Sequence, residues 1–176
     1  MPCHIFIATS LDGFIARPDG ALDWLERPGM AGEDHGYSDF IAGIDCIVMG
    51  RGSFDKVLTF DSWPYSLPVV VLSQSLTETP PDQLPPDVTI LSAPPEEVTA
   101  FCAAKGWTRL YIDGGRVIQD FLRAGLIDDM ILTRLPVLLG QGIPLFGPLG
   151  ADLPLHHQDT RSFPSGLIQS HYRCAP

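Results

Sequence analysis

Two glycine-bearing segments are placed where a main chain could meet a ligand. Gly50-Arg51-Gly52-Ser53 follows the apolar run 45–49 and enters a helical pattern at 53–58. Glycine lets the backbone come close to a bound group. A helix start offers free N–H groups to a phosphate, and Arg51 and the Ser53 hydroxyl add donors. The same residues also suit a tight strand-to-helix turn with Ser53 as its N-cap. Asp113-Gly114-Gly115, followed by Arg116 and Val117, repeats the arrangement before a helical pattern at 117–124. A double glycine lets a backbone lie against a planar ring or a pyrophosphate, or serves a turn that needs positive φ. Neither G-x-G-x-x-G nor G-K-[S/T] occurs, so the usual Rossmann fingerprint and the P-loop are both missing.

Acid–base chemistry has two candidates. Asp12 precedes Gly13 in the turn after the first strand pattern, and Asp34 lies just before the first helical pattern. Either carboxylate can supply or relay a proton. Asp12 suits an ordinary turn equally well, and Asp34 a helix cap. His156-His157 resembles a metal pair, but neighbours on a strand point to opposite faces and do not converge. The four cysteines, Cys3, Cys46, Cys102 and Cys174, form no C-x-x-C pair and lack histidines at ligand spacing. They read as reduced thiols, with no metal site expected. Trp24, Trp63 and Trp107 read as packing residues.

These residues need a scaffold, and the apolar pattern supplies one. Strand patterns fall at 3–8, 45–49, 69–72, 88–91, 110–112 and 130–135. Helical patterns fall at 37–43, 53–58, 96–105 and 117–124. The continuous run Val69-Val70-Val71-Leu72 marks a strand buried on both faces. Such alternation predicts an α/β domain with a mostly parallel sheet and helices on both faces. Residues 159–173 read as an antiparallel hairpin turning at Pro164-Ser165-Gly166. Residues 79–95 carry six prolines and read as a long surface loop system with one embedded strand, so the chain is taken as one domain, 1–176. In open α/β sheets ligands bind beyond the carboxyl ends of the strands. Asp12-Gly13, Gly50 to Ser53, Ser73-Gln74, Asp113 to Arg116 and Gly140-Gln141-Gly142 each follow a strand, so small and polar residues should gather at that one edge.

Bulk properties exclude several partners. A formal net charge of −10 over 176 residues opposes non-specific nucleic-acid binding and attraction to an anionic membrane. The amino-terminal residues show neither the basic stretch nor the apolar run of a signal peptide. The apolar stretch 130–139 is broken by Arg134 and Pro136 and is too short to span a bilayer. A cytoplasmic protein is expected.

Across almost its whole length the chain resembles the dihydrofolate reductase-like superfamily, nearest to the reductase domain of riboflavin-biosynthesis deaminase-reductases and its stand-alone relatives. The resemblance rests on Ser10-Leu11-Asp12-Gly13-Phe14-Ile15-Ala16, Leu22-Asp23-Trp24-Leu25, Asp34 to Tyr37 with Phe40, Ile47 to Phe54, Tyr111 to Gly115, and Leu138 to Gly142 with Leu145-Phe146. It implies a three-layer α/β/α fold and an NADPH site along the carboxyl edge, with NADH possible. Gly50, Arg51, Gly52 and Ser53 would hold phosphate. Gly114, Gly115, Arg116 and Val117 would contact the pyrophosphate and nicotinamide side, and Ala8 and Ile15 would line the nicotinamide and substrate pocket. The family often has Thr at Ser53 and a basic residue after Ser73. Gln74 stands there instead, which predicts weak discrimination between NADPH and NADH. The implied activity is hydride transfer to a small pterin-like or ribosylamino-pyrimidine-like substrate by a homodimer. A non-catalytic dinucleotide-binding or regulatory protein on the same fold is the alternative.

Overall fold

Strands with apolar residues on both faces require cover on both faces, and the topology provides it. In the computed structural model, residues 1–25, 32–76 and 84–175 are described. The elements are β1 (Cys3–Ser10), β2 (Phe14–Ala16), α1 (Tyr37–Ala42), β3 (Cys46–Gly50), α2 (Arg51–Val57), β4 (Val69–Leu72) and β5 (Val88–Leu91). They continue with α3 (Pro95–Ala104), β6 (Leu110–Asp113), α4 (Gly115–Arg123), β7 (Asp129–Leu135), β8 (Ile143–Pro144), β9 (Leu155–Ser162) and β10 (Ile168–Cys174).

Eight strands form one sheet in the order β5-β4-β3-β6-β1-β7-β10-β9. The pairings from β5 to β7 are parallel, and the β7–β10 and β10–β9 pairings are antiparallel. On one face Ile5, Val48, Val70, Ile112 and Met130 pack with Val98 and Cys102 of α3 and Ile118 and Phe121 of α4. On the other, Ile47, Met49, Val71 and Tyr111 pack with Phe54 of α2 and Phe40 and Ile41 of α1. Phe121 is fully buried, and truncating a ring of that kind to Ala typically costs about 3–5 kcal/mol.

Several boundaries differ from the sequence reading. The helix at 51–57 begins on Arg51 with Gly50 as its N-cap, so Ser53 is not the cap. Its hydroxyl is turned to Asp113 instead. The N-cap of α1 is Gly36, at φ 79°, and not Asp34, whose Oδ1 accepts the Gly36 N–H at 2.8 Å. The terminal hairpin starts at Leu155 rather than residue 159. Its turn carries the expected Gly166 at φ 86°. Ser165 in that turn donates its N–H (2.9 Å) and hydroxyl (2.5 Å) to Glu33, which ties the hairpin to the segment before α1. Of the proline-rich segment, residues 77–83 lie outside the described part, and 88–91 form the embedded strand.

Strands β2 and β8 pair as a separate small sheet that no periodicity announces, being three and two residues long. They pack on Gly142, where a Cβ would lie 2.3 Å from the Ala16 carbonyl oxygen. Among the described residues no helix is long and apolar enough to cross a membrane.

Candidate active site

The parallel strands all direct their carboxyl ends to one edge, where β3 runs directly into α2 and β6 into α4. Between these junctions and the ends of β4 and β5 lies a groove of about 1000 Å³. Gly50, Arg51 and Gly52 form one wall, with Ser73 and Gln74 beside them. Arg116 and Val117, from the first turn of α4, face them. A Cβ at Gly52 would meet nothing within 4 Å, so the backbone there is open to a ligand. Arg51 Nη1 donates to Ser75 Oγ at 2.6 Å and Nε to Asp55 Oδ2 at 3.1 Å. The guanidinium is half exposed, and these bonds hold it at the groove's rim. Arg123 and Asp120, paired with one another, and Glu96 of α3 complete the lining.

Gly114 stands immediately behind this wall. Its φ is 85°, and a Cβ there would sit 2.6 Å from Ser53 Oγ, so conformation and space both require glycine. Gly115 meets Ile15 in the same way, with the isoleucine Cδ1 2.8 Å from the position of an added Cβ. Ser53, Gly114, Gly115 and Ile15 therefore form the packed floor of the strand–helix junctions and do not line the groove. Ala8 lies elsewhere, against the small cluster of Trp24, Leu135 and Leu167.

The two carboxylates singled out from sequence are engaged by backbone. Asp12 accepts the Ser10 hydroxyl at 2.6 Å, Leu139 N–H at 3.1 Å and Gly140 N–H at 2.7 Å. The Ser10 hydroxyl, with these N–H groups, holds its carboxyl below the usual carboxylate range, the opposite of what a proton donor near neutral pH requires. Asp34 is exposed and closes its own turn through Gly36. His157 bonds Thr160 Oγ1 at 2.7 Å, and among the described residues no three His, Cys, Asp or Glu side chains converge as metal ligands.

A third carboxylate was missed. Asp113 ends β6 and lies on the α1 and α2 side of the sheet, beside Tyr111. Burial raises its pKa, outweighing the opposing hydrogen bonds from Ser53, Gly114 and Tyr111. Tyr111 Oη donates to the Phe6 carbonyl oxygen at 2.9 Å and lies 3.3 Å from Asp113 Oδ1. Rings surround this pair: Phe40 packs edge-on against Tyr111 at 5.1 Å, and Phe6 packs on Phe40 and Tyr37. Trp63 packs on Phe54 and Tyr65. The sequence held Asp113 in view for its two glycines. Its value as an acid depends on enclosure, which a motif does not express.

Comparison with known proteins places this geometry. The family model for the RibD C-terminal domain matches residues 4–168. An uncharacterized protein, YwjB, of Bacillus subtilis is 36% identical over 172 residues, covering 96% of this chain and 95% of its own. The crystal structure of a putative riboflavin biosynthesis protein from Shewanella sp. PV-4 superposes with a TM-score of 0.92 at 43% identity, over the full length of both chains. Two more distant structures share the fold. A Thermotoga maritima diaminohydroxyphosphoribosylaminopyrimidine deaminase/5-amino-6-(5-phosphoribosylamino)uracil reductase gives a TM-score of 0.75 at 15% identity, covering 99% of this chain and 56% of that one. Enterococcus faecalis dihydrofolate reductase, complexed with NADP(H) and RAB-propyl, gives 0.68 at 17% identity, covering 99% and 97%. With the strand order, the groove and the family match in agreement, the chain belongs to the RibD C-terminal domain family of the dihydrofolate reductase-like superfamily.

Proposed function

We propose that this protein is an NAD(P)H-dependent reductase that transfers hydride to a small heterocycle of the pyrimidine or pterin kind. The observation that carries this reading is the groove at the carboxyl edge, with open glycine backbone at Gly52 and the cations Arg51 and Arg116 on facing walls. Its volume and charges fit a dinucleotide, and the Enterococcus relative of the same fold is complexed with NADP(H). The dinucleotide, when bound, supplies the hydride. Arg51 and Arg116 would hold phosphate oxygens, and Gly50 and Gly52 would admit the backbone's close approach. Val117 would shield the groove's inner end. The Thermotoga relative's name includes a pyrimidine reductase, which supports the substrate class.

We also propose that the chain acts as a single reductase domain and pairs as a homodimer. All eight residues of the edge strand β9 are exposed. Leu11 and Phe146, 58% and 47% exposed, border a hollow over Leu132 and Tyr172. An uncovered edge and an apolar rim favour association. Light scattering at micromolar concentration should give twice the chain mass, and a monomer mass counts against pairing.

The deciding experiment is a fluorescence titration with NADPH and NADH. Oxidation of the bound cofactor is then followed after adding 5-amino-6-(5-phosphoribosylamino)uracil or dihydrofolate. Saturable binding followed by oxidation with one probe is expected. Absence of binding overturns the reading.

A further inference from the structure

Asp113 occupies a position that neither folding nor cofactor binding explains. It is a carboxyl at the carboxyl end of β6, in register with Met49 of β3, and the groove wall lies just behind it through Ser53 and Gly114. On its other side stand rings. Tyr111 is bonded to it, and Tyr37 and Tyr65 are near enough to feel its charge. The neighbouring Trp63 has its indole N–H buried with no acceptor. A buried donor without a partner is uncommon and costly, and here it stands in an aromatic wall beside a carboxyl.

We propose that Asp113 delivers the proton in the reaction, to a flat, unsaturated nitrogen heterocycle held against the rings of Tyr37, Tyr65 and Trp63. This rests on the reductase reading above. As the carbon of a ring C=N bond takes hydride, the π pair moves to nitrogen. The nitrogen takes the proton from the Asp113 carboxyl, whose O–H bond breaks. The C–H and N–H bonds are new, the dinucleotide is oxidised, and the Asp113 carboxylate regains a proton from water. Ser53 and Tyr111 act as positioning residues that aim the carboxyl. The burial that raises its pKa keeps the proton in place before transfer. Asp12 and Asp34 lack this setting, since both sit in solvent against backbone N–H groups.

The test uses the whole protein and its Asp113→Asn variant. Infrared difference spectroscopy at about pH 5, where an ordinary aspartate is ionised, should show a protonated carboxyl band in the parent that Asp113→Asn removes. Its absence in the parent overturns the proposal whatever the substrate. With whichever of dihydrofolate or the uracil probe is reduced, Asp113→Asn should lower kcat by about 10²-fold or more. It should also abolish the fall in rate at high pH, while NADPH affinity stays within twofold. Asp113→Glu should restore part of the rate and that limb. A variant that turns over at the parental rate with its pH profile intact overturns the proposal. Failure of the parent to bind NADPH overturns the reductase reading instead and leaves the infrared result to judge Asp113 as a proton holder.

Discussion

Asp12 and Gly140, 128 positions apart in sequence, meet through a 2.7 Å hydrogen bond from the Gly140 N–H to Asp12 Oδ2. With Leu139 and Ser10 on the same carboxylate, this clasp fixes the turn after β1 against the loop after β7. Asp12→Ala should lower the melting temperature at pH 7. The folded pKa is depressed, so the carboxylate's contribution is present above the unfolded value near 3.8 and is lost as pH falls through the folded one. The gap between parent and variant should therefore narrow in strong acid. Equal melting temperatures at pH 7 would mean the clasp adds nothing.

Gly114→Ala meets two obstacles, a φ of 85° and a Cβ placed 2.6 Å from Ser53 Oγ. Strain at such a position costs about 1–3 kcal/mol, and the displaced Ser53 would loosen Asp113. Urea denaturation should show a loss of that size. A neutral result would show that β6 and α4 tolerate rearrangement.

Arg51 is aimed by Ser75 and Asp55 at the groove. Arg51→Ala should weaken NADPH binding by about 1.5–3 kcal/mol if it contacts phosphate, a change of about 10- to 100-fold in Kd. Unchanged affinity on titration would remove Arg51 from the cofactor site.

Gln74 lines the groove beside Ser73. The native protein should bind NADPH and NADH with similar affinity, and Gln74→Arg should shift the ratio toward NADPH. A strong native preference for NADPH would assign the 2′-phosphate to Arg51 or Arg116.

Asp113 carries a stability cost that a functional role would explain. Its folded pKa is raised, chiefly by burial. The associated stability is present below the unfolded value and is lost as pH rises through the folded one. Asp113→Asn should therefore melt higher than the parent at pH 7, with the advantage closing at about pH 3 and below, where both side chains are neutral. A lower melting temperature at pH 7 would show that the charge is well compensated.

Much of the architecture was legible because it depends on local pattern. The β-branched run at Val69 to Val71 and the alternating strands and helices required a parallel sheet covered on both faces. Glycines after successive strands marked the edge where a ligand groove opens, and seven of the residues named there line it. What the sequence could not assign is which polar groups are committed to the protein itself. Ser53 reads as a cap or phosphate donor until Asp113 is seen to take its hydroxyl, and Asp12 reads as an acid until the backbone of residues 139 and 140 arrives. These partners are distant in the chain, and their meeting depends on sheet order and loop packing, to which motifs are blind. The sequence by itself determined the fold class and the edge of the sheet that would bear a site. Only the tertiary structure decided which carboxylate is enclosed, because a pKa is set by burial and neighbours in space, and neither is a property of a residue's position along the chain.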